Sequence, residues 1–172
     1  MGNKLSTIIA IIPPEDVLQS LDGVIAGEVH SRVPHITLAY IEKTDEIEFS
    51  KLRTVVKDTV ENELHPIRIQ SQGAGFFDNE GRCVQFILFN GKHLDQWIYR
   101  LKNNIRDETG IQVTSDALIP HLTVNYAKEI EPGWEQPLLD IEELTWICNT
   151  VYILRGKMYI PYEAPIFDPL TK

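Results

Sequence analysis

Basic residues, cysteines and long apolar runs are all scarce in this chain of 172 residues. It has 16 Lys and Arg against 25 Asp and Glu, which gives a formal net charge of −9. Proteins bind long nucleic acids mainly through cationic contacts with phosphates, so this balance argues against an extended nucleic-acid surface. The net negative charge does not exclude a small phosphorylated ligand that binds in a locally positive pocket. No apolar stretch approaches the roughly 18–20 residues of a membrane-spanning helix, so no membrane partner is expected.

Only two cysteines occur, Cys83 and Cys148, each in an apolar run and without metal-type spacing. They are typical of reduced core residues and predict a cytoplasmic protein. The 43% hydrophobic and 24% charged content is that of an ordinary soluble globule. We therefore expect a single domain over residues 1–172, acting as a monomer.

Hydrophobic periodicity predicts alternating strands and helices. We expect strands over 6–12, 35–41, 67–69, 83–89 and 121–126, and helices near 15–21 and over 47–64 and 93–108. The segments Gly23–Val33, Gly73–Arg82 and 128–137 are interpreted as a loop, a hairpin connection and a loop. Glu142–Arg155 and Met158–Ile160 are expected to form a final hairpin that turns near Gly156. The apolar faces of the two long helices are predicted to be Phe49, Leu52, Val56, Val60 and Leu64, and Leu94, Trp97, Ile98, Leu101 and Ile105.

One short motif occurs twice, as Pro-His-Ile-Thr-Leu-Ala-Tyr at residues 34–40 and as Pro-His-Leu-Thr-Val-Asn-Tyr at residues 120–126. Both copies share the proline, the histidine, the threonine and the tyrosine, and apolar residues flank each threonine. One His-x-Thr arises easily by chance, whereas two in the same frame do not. The repeat predicts an internal duplication, with two lobes packed about a pseudo-two-fold axis.

Strand geometry gives each copy two different faces, because side chains alternate along a strand. His35 and Thr37 share one face, and His121 and Thr123 share the equivalent face of the second strand. The apolar neighbours would pack on a core, so the His/Thr pairs would face a central cleft. The expected fold is an α+β domain in which antiparallel sheets form this cleft and helices lie outside.

Two histidines and two threonines in a cleft suit phosphoryl chemistry. A neutral imidazole can take a proton from an attacking oxygen, and an imidazolium can donate one to the leaving oxygen. Threonine hydroxyls can donate hydrogen bonds to phosphate oxygens, and opposite cleft walls suit in-line displacement. This scheme needs no metal or other cofactor, and no third zinc ligand is apparent beside the histidines. The competing interpretation is that both histidines are ordinary packing residues of a duplicated sheet.

Residues that follow each His-x-Thr are weaker candidates. Asn125 is expected on the face of His121, where it could hydrogen-bond a substrate, whereas its counterpart Ala39 could not. In an unbroken strand Tyr40 and Tyr126 would lie on the opposite face and pack. A β-bulge would reverse their orientation.

Phe76 and Phe77 lie in a glycine-containing segment, and one of them could stack on a nucleobase. Packing at a strand entry is the alternative. The other histidines, His30, His65 and His93, lack a threonine partner and are expected on the surface. Local positive charge could come from any of Lys43, Arg82, Lys128, Arg155 and Lys157.

The paired motifs His35/Thr37 and His121/Thr123 resemble those of the two-histidine (2H) phosphoesterase superfamily, which includes LigT-like 2′-5′ RNA ligases and cyclic nucleotide phosphodiesterases. The resemblance covers most of the chain. It implies a bilobal duplicated fold without a metal, in which the two histidines act as general acid and base and the two threonines bind the phosphate. LigT-like members often carry Arg five residues after the second histidine, where this chain has Tyr126.

The resemblance implies a metal-independent phosphodiesterase that cleaves cyclic or 2′-linked phosphodiesters in small nucleotides or RNA ends. Two alternatives stay open: a phage-type hydrolase of cyclic oligonucleotide immune signals, and a module that binds a nucleotide without chemistry. RNA ligation as the main role is disfavoured by the charge of −9.

Overall fold

This computed structural model describes residues 3–25, 33–114, 119–127, 129, 132–134, 136–156 and 160–165. The described residues form eight strands and four helices. In chain order they are β1 (Leu5–Ile11), α1 (Glu15–Ser20), β2 (Ile36–Thr44), α2 (Glu46–Glu63), β3 (Ile67–Asn79), β4 (Arg82–Asn90), α3 (Leu94–Thr109), β5 (His121–Ala127), α4 (Gln136–Leu139), β6 (Thr145–Cys148), β7 (Thr150–Arg155) and β8 (Ile160–Pro165).

The strands form one antiparallel sheet in the order β6-β3-β4-β5-β2-β1-β7-β8. Its two halves, β6-β3-β4-β5 and β2-β1-β7-β8, meet at the strands that carry the repeated motif. A single facing pair, Ile36 and Leu122, joins β2 to β5. The predicted α+β class is confirmed. The separate antiparallel sheets that the sequence predicts are the two halves of one sheet, joined through this single pair.

The long helices α2 and α3 pack against each other and against one face of the sheet. The capping box of Asp45 and Glu48 begins α2, because each side chain accepts a hydrogen bond from the other residue's backbone N–H. Gly110, in the left-handed region at φ 72°, ends α3. The predicted apolar faces are confirmed, since nearly all their members are buried in one hydrophobic core: Phe49, Leu52, Val56, Val60, Leu64, Leu94, Trp97, Leu101 and Ile105.

The segment predicted as a hairpin connection, Gly73–Arg82, does contain the turn between two paired strands, but most of it is strand, so the predicted extent is wrong. β3 runs on to Asn79, and the turn consists of Glu80 and Gly81, both at positive φ. Gly73 does not end the strand, because its φ of 106° is absorbed in a bulge between Ser71 and Ala74. Strand alternation therefore applies to the residues after Gly73.

The predicted first arm of the final hairpin, Glu142–Arg155, is two strands rather than one. The chain breaks at Asn149, with β6 pairing to β3 in one half and β7 pairing to β1 in the other. Two Cα steps of about 3.8 Å separate Cys148 from Thr150, so the sheet must curl to bring these distant strands together. A final antiparallel hairpin is confirmed, but its second arm, β8, runs over Ile160–Pro165 rather than the expected 158–160. Residues 157–159 lie outside the described part. A short helix, α4, lies at the end of the predicted loop 128–137.

Both cysteines are buried and unpaired, as the sequence predicts. Burial raises the pKa of the Cys148 thiol to about 11, so it stays protonated at neutral pH. Within the described residues, no helix has the length and apolar character needed to cross a membrane.

Arg155 is buried, and it does not serve as a surface cation. Its guanidinium donates to the Thr44 hydroxyl, to the Thr44 carbonyl and to Glu46, and it lies 4.5 Å from the centre of the Phe49 ring. The Thr44 hydroxyl is also 2.7 Å from that of Thr7. These contacts tie β7 and β1 to the junction of β2 and α2, so this expected phosphate candidate has a structural role.

We expect Arg155→Ala to lower the free energy of unfolding by about 2–4 kcal/mol, because it removes the buried donors to the Thr44 hydroxyl and carbonyl and opens a cavity beside Phe49. Glu46→Gln is the matched control. The Glu46 side chain is 80% exposed, so its loss should cost less than about 1 kcal/mol. Urea unfolding measures both, and equal effects would show that the surface ion pair, not the buried network, carries the stability.

Candidate active site

Both His-x-Thr pairs lie on one face of the sheet, at the point where its halves join. Ile36 faces Leu122 across the antiparallel pair, so His35 lies across from Thr123 and Thr37 lies across from His121. Ile36 and Leu122 are fully buried in the core against the helices. The four polar side chains therefore point to the other face, and facing residues of such a pair have Cβ atoms roughly 4.5–5.5 Å apart.

The two histidine rings are held in the same way. His35 Nδ1 lies 2.7 Å from the carbonyl oxygen of Val33, and His121 Nδ1 lies 2.7 Å from that of Ile119. A carbonyl oxygen only accepts, so Nδ1 carries a proton in each ring. The neutral ring then has its lone pair on Nε2, so Nε2 is the ring atom that can accept a proton.

Each motif strand contains a bulge at the same place. Thr37 faces Ala10 on β1 but Ala39 faces Ile9, which leaves Leu38 as the extra residue. Thr123 faces Phe86 on β4 but Asn125 faces Gln85, which leaves Val124 as the extra residue. Two successive side chains therefore point to the helix-covered face in each strand, as shown by Leu38 and Ala39, which are both fully buried there.

The bulges turn both tyrosines to the face of the histidines. Tyr40 faces Ile8, and Tyr126 faces Val84, each two residues beyond the partner of the motif threonine. The orientation expected from an unbroken strand is thus wrong. Tyr40 is 43% exposed, while Tyr126 is partly buried and also touches the edge of the core. The change of face brings two phenol rings to the side of the sheet that carries the candidate site.

The same bulge removes Asn125 from that face, so its expected alignment with His121 is wrong. Asn125 faces Gln85, which is 7% exposed, and donates to its side-chain oxygen at 2.9 Å. This amide pair lies on the face opposite to Thr123. A substrate role for Asn125 therefore has no support from its position.

Aromatic rings surround His121 but differ in their access to solvent. Its ring centre lies 4.9 Å from that of Phe86 and 5.6 Å from that of Phe77, which is 39% exposed. Phe86 fits there because it faces Gly75 on β3, where a Cβ atom would come within 2.8 Å of the Phe86 ring. Sequence analysis missed Phe86, because it lies in a continuous apolar strand whose pattern does not predict a contact with His121.

The two adjacent phenylalanines point to opposite faces. Phe77 faces Val84 on the side of His121, whereas Phe76 faces Gln85 and packs edge-on against Trp134 at 5.9 Å. Only Phe77 therefore lies beside the candidate site. Sequence analysis selected both residues because it predicted a connection here, and side chains in a connection need not alternate between two faces as they do in a strand.

The expected cations within the described part of the chain lie away from the histidines. Arg82 starts β4, six residues before the partner of His121, which is about 20 Å along a strand. Lys43 is exposed near the far end of β2, and Lys128 and Lys157 lie outside the described residues. In the described ranges, no three His, Cys, Asp or Glu side chains come together in a way that could hold a metal ion.

A sequence model of the 2'-5' RNA ligase superfamily matches residues 16–157, which include both motifs. No curated protein sequence matches this chain.

Three solved structures show how widely the fold is shared. TT0787 of Thermus thermophilus has a TM-score of 0.70 at 16% identity, and the match covers 94% of this chain and 97% of that one. Escherichia coli LigT complexed with 3'-AMP has a TM-score of 0.69 at 13% identity, with 96% and 100% covered. Kluyveromyces marxianus Usb1 has a TM-score of 0.58 at 9% identity, with 95% and 98% covered. LigT has also been solved with NADP+ and with ATP.

We expect the ring proton of His35 and of His121 to sit on Nδ1 at a pH where both rings are neutral, because each Nδ1 faces a backbone carbonyl. Long-range ¹H–¹⁵N correlation spectra of histidine-labelled protein measure this directly. The exposed His65, just beyond α2, serves as the reference ring. Protons on Nε2 of both motif histidines would contradict the arrangement.

Proposed function

The chain belongs to the 2'-5' RNA ligase superfamily, and from this membership we propose that it is a metal-independent phosphodiesterase acting on cyclic or 2′-linked phosphodiesters of small nucleotides or RNA ends. The observation that carries the proposal is the register about Ile36 and Leu122. His35, Thr37, His121 and Thr123 share one face there, and Nδ1 of each histidine donates to a backbone carbonyl, which supports the proposal.

The proposed reaction needs only these four side chains. A 2′,3′-cyclic phosphate is attacked at phosphorus by water, which loses a proton to one neutral histidine as its oxygen bonds to phosphorus. The other histidine, protonated, donates to the ribose oxygen as its bond to phosphorus breaks, and a phosphomonoester results. The threonine hydroxyls donate hydrogen bonds to the non-bridging oxygens, where negative charge accumulates.

A 2′-5′ linkage fits the same scheme with the adjacent 3′-hydroxyl as nucleophile. Its oxygen bonds to phosphorus and its proton passes to one histidine, while the other histidine protonates the departing 5′-oxygen. The products are a nucleoside 2′,3′-cyclic phosphate and a 5′-hydroxyl nucleoside. No cofactor takes part, because proton transfer and displacement balance without one.

The size of the expected ligand agrees with the surroundings of the site. Phe77 offers an exposed ring beside His121, and a purine or pyrimidine can stack on such a ring regardless of sequence. The net charge of −9 disfavours a long polynucleotide track. The ligands named for LigT, which are 3'-AMP, NADP+ and ATP, are all small nucleotides. We further propose that the protein acts as a cytoplasmic monomer, which its two free cysteines are compatible with.

We expect His35→Ala and His121→Ala each to lower turnover by about 10²–10⁴, because each removes one of two proton-transfer groups. The assay separates products by chromatography over a panel of 2′,3′-cyclic mononucleotides, cyclic di- and trinucleotides and 2′-5′ oligoadenylate. The panel also separates the cyclic-oligonucleotide alternative from the others.

His65→Ala is the matched control, since it removes an exposed histidine outside the site and should leave turnover unchanged. EDTA should also have no effect. Thermal unfolding checks that every variant is folded. Full activity of both motif variants would refute the proposal, and release of unchanged ligand by the wild-type protein would favour a binding module.

We expect Phe77→Ala to raise KM about tenfold and to change kcat less, because it removes a stacking surface. Phe76→Ala is the matched control on the other face of the same strand, and its KM should stay within about twofold. A KM that changes equally in both variants would indicate a general effect on β3 rather than stacking at the site.

A further inference from the structure

We infer that Phe86 is a positioning residue for the imidazole of His121, and that Gly75 gives the Phe86 ring the space that this position requires. Phe86 acts through the histidine, because it is only 8% exposed and offers little surface to a ligand. The expected effect on turnover rests on the proposed function, whereas the expected effect on the imidazole does not.

The hydrogen bond of the His121 ring is a contact at one edge only. Nδ1 donates to the carbonyl oxygen of Ile119, two residues earlier in the chain. The outer side-chain torsion of a histidine has broad minima, so one hydrogen bond of this kind still lets the plane of the ring tilt. A defined orientation of the imidazole therefore requires packing by neighbouring side chains.

Three rings in mutual contact supply this packing. The ring centre of Phe86 lies 4.9 Å from that of His121, with the two planes 50° apart, and the ring centre of Phe77 lies 5.6 Å away at 83°. The two phenyl rings are themselves 5.4 Å apart. All three distances fall within the roughly 4.5–7 Å of favourable aromatic pairs. The imidazole thus contacts two phenyl rings, of which the buried Phe86 is the closer.

Phe86 can take this position because its neighbour on β3 has no side chain. Gly75 faces Phe86, and a Cβ atom there would lie 2.8 Å from Cε2 and 2.9 Å from Cζ of the ring. Both distances are shorter than the roughly 3.5–4.0 Å of ordinary carbon contacts. The φ of Gly75 lies outside the left-handed region, so the backbone itself does not require glycine here. Gly75 therefore provides the space for the Phe86 ring.

The corresponding position in the other half of the sheet holds no ring. Thr123 faces Phe86 on β4, whereas Thr37 faces Ala10 on β1. Support by a phenyl ring at this position therefore belongs to the half that carries His121. We expect its loss to change the His121 ring and to leave the His35 ring as an internal reference.

The test removes first the ring and then the space beside it. We expect Phe86→Leu to change neutral His121 from the Nδ1-protonated form to a mixture of both forms, and to lower kcat about tenfold with KM within about twofold. Long-range ¹H–¹⁵N spectra of histidine-labelled protein measure the ring proton, and turnover is measured on the panel compound that the wild-type protein cleaves fastest. Gly75→Ala should act in the same direction by displacing the Phe86 ring, and should add nothing in the Phe86→Leu background.

Phe89→Leu is the matched control, because it makes the same substitution on the same strand at a residue that is 2% exposed and packs against Trp146 on the other face. It should leave the His121 spectrum and kcat unchanged. Thermal unfolding checks that each variant is folded, and Gly75→Ala alone carries the test if Phe86→Leu is not.

An unchanged His121 spectrum or kcat in Phe86→Leu, or the same changes in Phe89→Leu, would overturn the inference. If the wild-type protein cleaves no compound of the panel, the proposed function fails, and the spectra alone then decide whether Phe86 positions His121.

Discussion

One facing pair of residues, Ile36 and Leu122, joins the two halves of the sheet, and the candidate site depends on it. A single pair is too little to hold two four-stranded halves together. Their association comes instead from the core, in which residues of both halves and of the helices α1, α2 and α3 form one continuous cluster. The motif strands are then free to meet over one pair only. Each His-x-Thr lies at the start of its strand, so this short contact is enough to bring all four side chains together.

The bulges show how the pattern of one strand serves two purposes. Before the bulge, strict alternation gives a buried apolar residue on one face and a histidine or threonine on the other. After it, the alternation changes phase, which places Tyr40 and Tyr126 on the site face and Ala39 and Asn125 on the other. A bulge at the same place in both halves extends the duplication from the motif residues to the backbone. The local geometry therefore belongs to the repeated unit.

Sequence reasoning succeeded where the answer depends on a few neighbouring residues. His35 and Thr37 are two positions apart, so their common face follows from strand geometry alone, and the helix faces follow from spacing in the same way. It failed where the answer depends on a partner elsewhere in the chain. The bulge at Val124 is defined by its register against β4, the break at Asn149 by pairing with two distant strands, and the burial of Arg155 by contacts with Thr44 and Glu46. The pattern of neighbouring residues in the sequence does not predict contacts with residues elsewhere in the chain.

A symmetric set of two histidines and two threonines cannot by itself give a reaction a direction. Exchange of the halves would exchange acid and base, so any difference must come from the residues around the four. The structure has such a difference one strand away, where Phe86 and Gly75 in one half correspond to Ala10 and Tyr152 in the other. The proposed mechanism needs such a difference, because one histidine gives a proton while the other takes one. In that proposed mechanism the leaving group lies opposite the nucleophile, so the half that contacts the leaving group is the half whose histidine protonates it. Under the proposed mechanism, the packing residues that differ between the halves therefore set the choice of acid and base, although they take no part in proton transfer.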